Sequence, residues 1–279
     1  MVSKQLIITA DDFNADEERN RGILEASDKG ILTTTSVISN LPLDSGTVTA
    51  LKNSFNNIGI HLNITKGAQL STNTKTLVDK NGQFFDKQTA WKKALSKLYD
   101  HNELLSEFSA QVEMLLDYGI VPDHIDSNNH LHVFPVFADI TAQIANKYKI
   151  KFIRLPKETF YFSDINFSKT FIKKYFVYSL SLIAKKFFVK AGLGFPDHFN
   201  GIAVPSLLSK ESMLKFIKHL PPGTTELMCH PGYSYTDNPF SNSDREKEMH
   251  CLTDRDIIFE IKMNNIELIS FSDIKKRVQ

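Results

Sequence analysis

The chain has 279 residues, enough for one large domain or two small ones with a sizeable core. Hydrophobic residues make up 42% and charged residues 23%, with only 12 Gly and 10 Pro, which excludes a disordered, fibrous or low-complexity protein. Lys+Arg 33 against Asp+Glu 32 leaves a net charge of +1, so no global field holds nucleic acid or anionic lipid, and a charge-driven partner must use a local patch. Cys229 and Cys251 are too few for a disulfide framework. The apolar run Leu6-Ile7-Ile8 is shorter than the roughly 7–15 residues of a signal-peptide core. The expectation is a cytoplasmic protein. The most lipid-like stretch, residues 175–184, is far below the about 20 residues of a membrane span.

No repeat, Pro/Gly/Ser-rich linker or charge block asks for a boundary, so a single domain over residues 1–279 is expected. In chain order, apolar and β-branched runs predict buried strands at 6–10, 34–38, 58–64, 124–127, 152–155, 226–229 and 266–271. Helical periodicity falls between several of them, at 16–29, 102–118, 136–148, 171–189, 210–220 and 255–263. Gly119, Gly192 and Pro221-Pro222 punctuate helix ends. Strands alternating with helices imply an α/β protein with a mostly parallel sheet, and at this length a closed or nearly closed (β/α) barrel. Phosphate-binding glycine fingerprints are missing, which counts against a nucleotide-binding open sheet. Such folds do their chemistry at the carboxyl ends of the strands.

Polar residues fall at those ends. The first strand closes on Asp11-Asp12, adjacent carboxylates that suit a metal ligand beside a residue addressing a bound water, or a helix N-cap. The third carries His61 and Asn63 two apart, on one face. The segment His124-Ile125-Asp126-Ser127-Asn128-Asn129-His130-Leu131-His132 packs three histidines and an aspartate into nine residues, beyond any packing demand. Imidazoles and carboxylates on neighbouring strand ends suit a divalent cation, with positions left open for water and substrate. Glu226-Leu227-Met228-Cys229-His230-Pro231-Gly232 is another buried strand, ending in a histidine that faces the same mouth.

Together, ADDF at 10–13, GIHLN at 59–63, HIDSNNHLHVFP at 124–135, IRLP at 153–156 and MCHPGY at 228–233 resemble the YdjC-like (ChbG-type) carbohydrate deacetylases, in order along nearly the whole chain. The resemblance implies a distorted β/α barrel, deacetylase-like, and one divalent metal ion, magnesium in several members, with Zn2+ or another transition metal left open. It implies hydrolysis of the N-acetyl group of amino-sugar oligosaccharides, with a small glycan as partner and no nucleic acid. By the same resemblance Asp11 is the catalytic base, Asp12, His61 and His130 hold the metal, Arg154 orients the base, and His230 stands near the leaving group. Two positions depart from the pattern: Asn14 replaces the glycine of ADDFG, and Asn128 replaces the first histidine after the serine of HIDSHxHxH. Asn tolerates a left-handed backbone, so the first change keeps the turn. Asn128 cannot shuttle a proton near neutral pH, and its carbonyl is a weaker transition-metal ligand than imidazole.

In the mechanism so implied, metal-activated water attacks the acetyl carbonyl, Asp11 takes its proton, and protonated His230 serves the departing nitrogen. Two other readings stand: a sugar-binding barrel that lost turnover through Asn14 and Asn128, and a metal hydrolase of another class, such as a phosphoester. The near-neutral charge and one conspicuous arginine argue against a polyanionic substrate. The helix at 171–189, rich in Phe, Tyr and Lys, reads as a barrel-covering helix, beside the readings of homodimer face, lid or interfacial helix.

Overall fold

The computed structural model describes residues 3–72, 74–158, 169–202 and 209–274. Strand β1 (Lys4–Phe13) runs through the middle and is buried from Leu6 onward, as expected of a parallel strand covered on both faces. Around it lie β2 (Thr34–Val37), β3 (Ile58–Leu62), β4 (His124–Ser127) and β5 (Phe152–Ile153) on one side. On the other lie β7 (Gly223–Cys229) and β6 (His198–Asn200), in the order β5-β4-β3-β2-β1-β7-β6. Every pairing is parallel. The length of β1 lets it serve two neighbours in turn: Lys4–Leu6 pairs with β8 (Ile266–Leu268), and residues 9–13 pair with β2.

The edges of this curved sheet meet through isolated parallel bridges, Phe152 with Gly194 and Glu158 with Phe199. The result is the distorted β/α barrel expected from the pattern of strands and helices. Each predicted strand is present. The helical patterns correspond to α1 (Glu17–Lys29), α4 (His101–Asp117), α5 (Pro135–Tyr148), α6 (Lys169–Lys190), α7 (Lys210–Lys218) and α9 (Arg255–Met263).

Periodicity does not reveal α2 (Ser45–Ser54), α3 (Lys87–Leu95), α8 (Ser243–Thr253) or the short β6. Helices α2 and α3 bury just two residues each, Val48 with Leu51 and Ala90 with Ala94, too narrow a stripe to stand out. Their caps were the available signal: Asp44, Asp86 and Asn242 accept from backbone amides of the first turn. The last predicted strand is shorter than expected, giving way to a 3-10 turn at Phe271–Asp273 closed by Ser270 and Asp273 as a reciprocal capping box. The core is a large cluster drawn from most strands and helices and a small second one of Ile7, Phe152, Ile269 and Phe271.

Candidate active site

The carboxyl end of β1 is irregular. Its register with β2 slips between Ala10 and Phe13, and Asp12 adopts a φ of 65°. Consecutive side chains of a regular strand point to opposite faces, but a bulge with a left-handed residue re-aims them. Asp11 and Asp12 therefore line one cavity of about 350 Å³. Asn14 takes the left-handed φ of 75° expected of it. Its amide does more than a glycine could, donating to the carbonyls of Ile38 and Leu41, each at 3.0 Å. Helix α1 is capped by Asp16, which accepts from the Arg19 amide, so the capping reading of Asp11-Asp12 falls.

Behind Asp11 lies a buried ion cluster. Arg154, just past β5 and fully buried, donates from Nη1 and Nη2 to the two oxygens of Asp11, both at 2.6 Å. Its Nη1 also lies 2.8 Å from Asp126 Oδ2 on β4, and its Nε donates to Glu226 Oε1 on β7 at 2.8 Å. Burial works against the guanidinium charge, yet Asp11, Asp126 and Glu226 hold its pKa well above the arginine norm. Burial raises Asp11, Arg154 pulls it down and Asp126 pushes it up again, leaving it at about 7. A base poised near neutrality is what proton abstraction from water asks for.

Asp12 has different company. His61, at the end of β3, presents Nδ1 to Asp126 Oδ1 at 2.7 Å and Nε2 to Asp12 Oδ1 at 3.3 Å. Ser36 on β2 braces this pair, its Oγ lying 3.1 Å from His61 Nδ1 and 3.0 Å from Asp126 Oδ2. A histidine held at Nδ1 by a carboxylate is the arrangement that orients a metal-ligating imidazole. Burial opposes a charge on His61, but Asp126 and Asp11 raise its pKa well above the norm. Burial likewise opposes the Asp12 charge, but His61 holds its carboxyl well below the usual range. A divalent ion here would take Asp12 and the Nε2 of His61 as ligands, in place of the proton they share.

The ligand atoms of Asp11, His61 and Asp126 also lie within 4.8 Å of one another. Arg154 already occupies both of those carboxylates, so this group is an ion-pair network and not the better cage.

Positions 128 and 130 both reach this cavity. Asn128 contacts Asp12, its Nδ2 lying 2.9 Å from Oδ1, while its own Oδ1 accepts from Thr65 Oγ1 at 2.6 Å and from the Asn129 amide. His130 lines the same cavity with a left-handed φ of 57°, its ring edge-on to Phe199 at 6.2 Å, and its buried Nδ1 has no partner among the described residues. Burial, then Lys173 and Arg154, keep it neutral, well below the histidine norm. Asp12 Oδ1 thus meets both His61 and Asn128, while His130, the ligand expected from sequence, lines the same cavity. The backbone reverses at Asn129 and His130, which carries position 128 onto Asp12. His132 is structural: it bonds Ser127 Oγ through Nδ1 and the Arg154 carbonyl through Nε2.

His230 follows β7. Its amide donates to Glu248, its carbonyl accepts from the Arg19 guanidinium, and its ring stands edge-on to Phe240 at 5.3 Å. Burial, with Arg245 and Arg19, pushes its pKa well below the norm even against Asp12. The mouth is also more basic than expected, since Lys66, Lys87, Lys173 and Arg245 line it. Burial and neighbouring Lys87 lower Lys173 to about 8. The sequence reading gave no role to Asp126, Glu226 and Ser36. An ionisable residue inside a buried apolar strand was the signal for the two acids.

A parallel β/α barrel with histidines, carboxylates and a buried arginine gathered at the carboxyl ends belongs to the class of barrel proteins whose chemistry sits in one strand-end pocket. A sequence profile of the YdjC-like protein family matches residues 5–258, and the chain belongs to that family. It is 33% identical over 276 residues to a carbohydrate deacetylase of Clostridium beijerinckii, covering 97% of this chain and 100% of that one. It is 28% identical over 280 residues to a carbohydrate deacetylase of Thermoanaerobacter pseudethanolicus, covering 98% of this chain and 100% of the relative. A crystal structure from Enterococcus faecalis, named for a supposed cellobiose-phosphate cleavage, shares the fold with a TM-score of 0.75 at 22% identity, over 97% of this chain and 98% of that one.

Proposed function

We propose that this chain is a metal-dependent carbohydrate N-deacetylase that hydrolyses the acetamide of an amino-sugar glycan. Family membership and the names of the curated relatives support the carbohydrate deacetylase expected from sequence. The observation that carries the chemistry is the unequal partnering of two adjacent aspartates: Asp11 is clamped by Arg154, whereas Asp12 meets the outward nitrogen of His61. The first arrangement orients a base and the second offers ligands. A bound divalent ion, magnesium by resemblance, supplies polarisation of the acetyl carbonyl and a more acidic water. Asp12 and His61 would hold it, and position 128 or 130 would complete the protein's share. Asp11 takes the proton of the attacking water at a carboxylate oxygen, while Arg154 keeps that carboxylate aimed. His230 would relay to the departing nitrogen the proton that Asp11 takes from the water, so that Asp11 and His230 end as they began.

The cavity suits a glycan of one or two rings in the range typical of ligand pockets. No helix among the described residues is long and apolar enough to cross a membrane. The exposed Ile172, Tyr175, Leu182 and Ile183 of α6 are the face we assign to a homodimer. One observation favours a second reading: the lysines of the mouth suit a phosphorylated substrate or a phosphoester reaction. Acetate release from N-acetylglucosamine oligomers, with and without chelator and beside a phosphoester control, decides. Chelator-sensitive acetate release is expected. Phosphate release without acetate overturns the reading in favour of the phosphoesterase, and tight sugar binding with neither product leaves a binding barrel.

A further inference from the structure

We propose that Glu226 is a positioning residue that fixes the aim of Asp11 through the Arg154 guanidinium. Its kinetic consequence rests on the deacetylase reading. Glu226 is fully buried in β7, one strand away from Asp11 across the β1–β7 ladder, and it is set back from the cavity wall. Its Oε1 accepts from Arg154 Nε at 2.8 Å and from Thr9 Oγ1 at 3.0 Å, and Thr9 lies two residues before Asp11 on β1. The carboxylate is thus anchored to the very strand whose end it serves. Burial raises its pKa against the pull of Arg154.

A guanidinium has two edges that can grip a carboxylate side by side, the Nη1–Nη2 edge and the edge that includes Nε. Arg154 lies between Asp11 and Asp126, so either acid could in principle take either edge. Glu226 removes the choice. With Nε committed to Glu226, the Nη1–Nη2 edge alone remains for the two-pronged grip on Asp11, and Asp126 receives only a single contact from Nη1. Without that commitment the ring of charges can rotate toward Asp126, and Asp11 loses one of its two bonds. A base misplaced by a fraction of its hydrogen-bond length loses rate and not substrate affinity, because neither Glu226 nor Arg154 touches the cavity.

The test compares Glu226→Leu, which removes the acceptor, with Glu226→Gln, which keeps an oxygen of similar shape. The control is Leu227→Ala, a fully buried neighbour on the same strand whose truncation loosens packing alone. Two readouts are taken on the full chain. The Nε–H resonance of Arg154 in 15N-arginine protein, assigned by its loss in Arg154→Lys, reports the hold itself. It is expected to be sharp in wild type and Glu226→Gln, and shifted and exchange-broadened in Glu226→Leu. Acetate release reports the consequence: kcat falls on the order of 10–100-fold in Glu226→Leu, with KM unchanged, and Glu226→Gln restores most of it. An unaltered Nε–H signal in Glu226→Leu overturns the proposal. So does a kcat loss no larger than that of Leu227→Ala. If wild type releases no acetate, the deacetylase reading falls, and the resonance alone decides whether Glu226 holds Arg154.

Discussion

Asp11 and Asp12 are neighbours in sequence, yet the regions on either side of them are built on opposite principles. Around Asp11 the charges are closed: Arg154 meets Asp11, Asp126 and Glu226, and its three nitrogens are all spent on them. Around Asp12 they are open, with one imidazole nitrogen and one amide facing it on the cavity wall. A closed cluster fixes geometry, and an open one recruits a ligand. The difference comes from one bulge in β1, which lets consecutive residues of one strand serve two environments in a single cavity.

Breaking the closed side should have the largest effect. Arg154→Met leaves three buried acids without their cation, and should destabilise the fold by about 3–5 kcal/mol in urea unfolding. A loss under about 1 kcal/mol would mean the cluster is not closed as described. Next come the aspartates themselves. Asp11→Asn fills the same space but cannot accept a proton, so hydrolysis should fall on the order of 10²–10⁴-fold while metal stays bound. The pH dependence has a definite sign. The base must be ionised, so activity should rise with pH through an acid limb. That limb should lie at or below the metal-free value of about 7 for Asp11, because a bound cation draws a nearby carboxylate down. A limb well above 7 in the kcat profile contradicts the assignment of Asp11 as base.

On the open side, Asn128→His places an imidazole where an amide now abuts Asp12. Metal affinity by calorimetric titration should rise by about 10–100-fold if that position faces the ion, and stay unchanged if His130 completes the site instead. The smallest effect is expected at the turn both regions share. Asn14→Gly relaxes the left-handed backbone but deletes the bonds to Ile38 and Leu41, for a net loss of about 1–2 kcal/mol in unfolding. A gain in stability would show that backbone strain outweighs those bonds.

These regions were unequally legible in the sequence. Parallel strands buried on both faces leave continuous apolar runs, so β1, β3, β4 and β7 could be found, and with them the residues at their ends. Asp11, Asp12, His61 and Arg154 were therefore visible as one constellation, helped by motifs shared with the deacetylase family. Their partners were not. Glu226 reaches Arg154 across 72 residues and Asp126 meets His61 across 65, and neither pairing has a local signature. The approach of Asn128 to Asp12, just before the left-handed turn at Asn129 and His130, is likewise not encoded in histidine spacing. The lysines of the mouth come from α6, from α3 and from the loop after β3, which pattern reading could not bring together. Helix α3 was hidden as well, because its buried stripe is two alanines wide.

The central claim is the division of labour between Asp11 and Asp12, and metal content measured on purified Asp11→Asn and Asp12→Asn tests it most directly. The account predicts that Asp11→Asn retains one divalent ion per chain while losing hydrolysis, and that Asp12→Asn loses the ion. Metal lost from Asp11→Asn and retained in Asp12→Asn would contradict it.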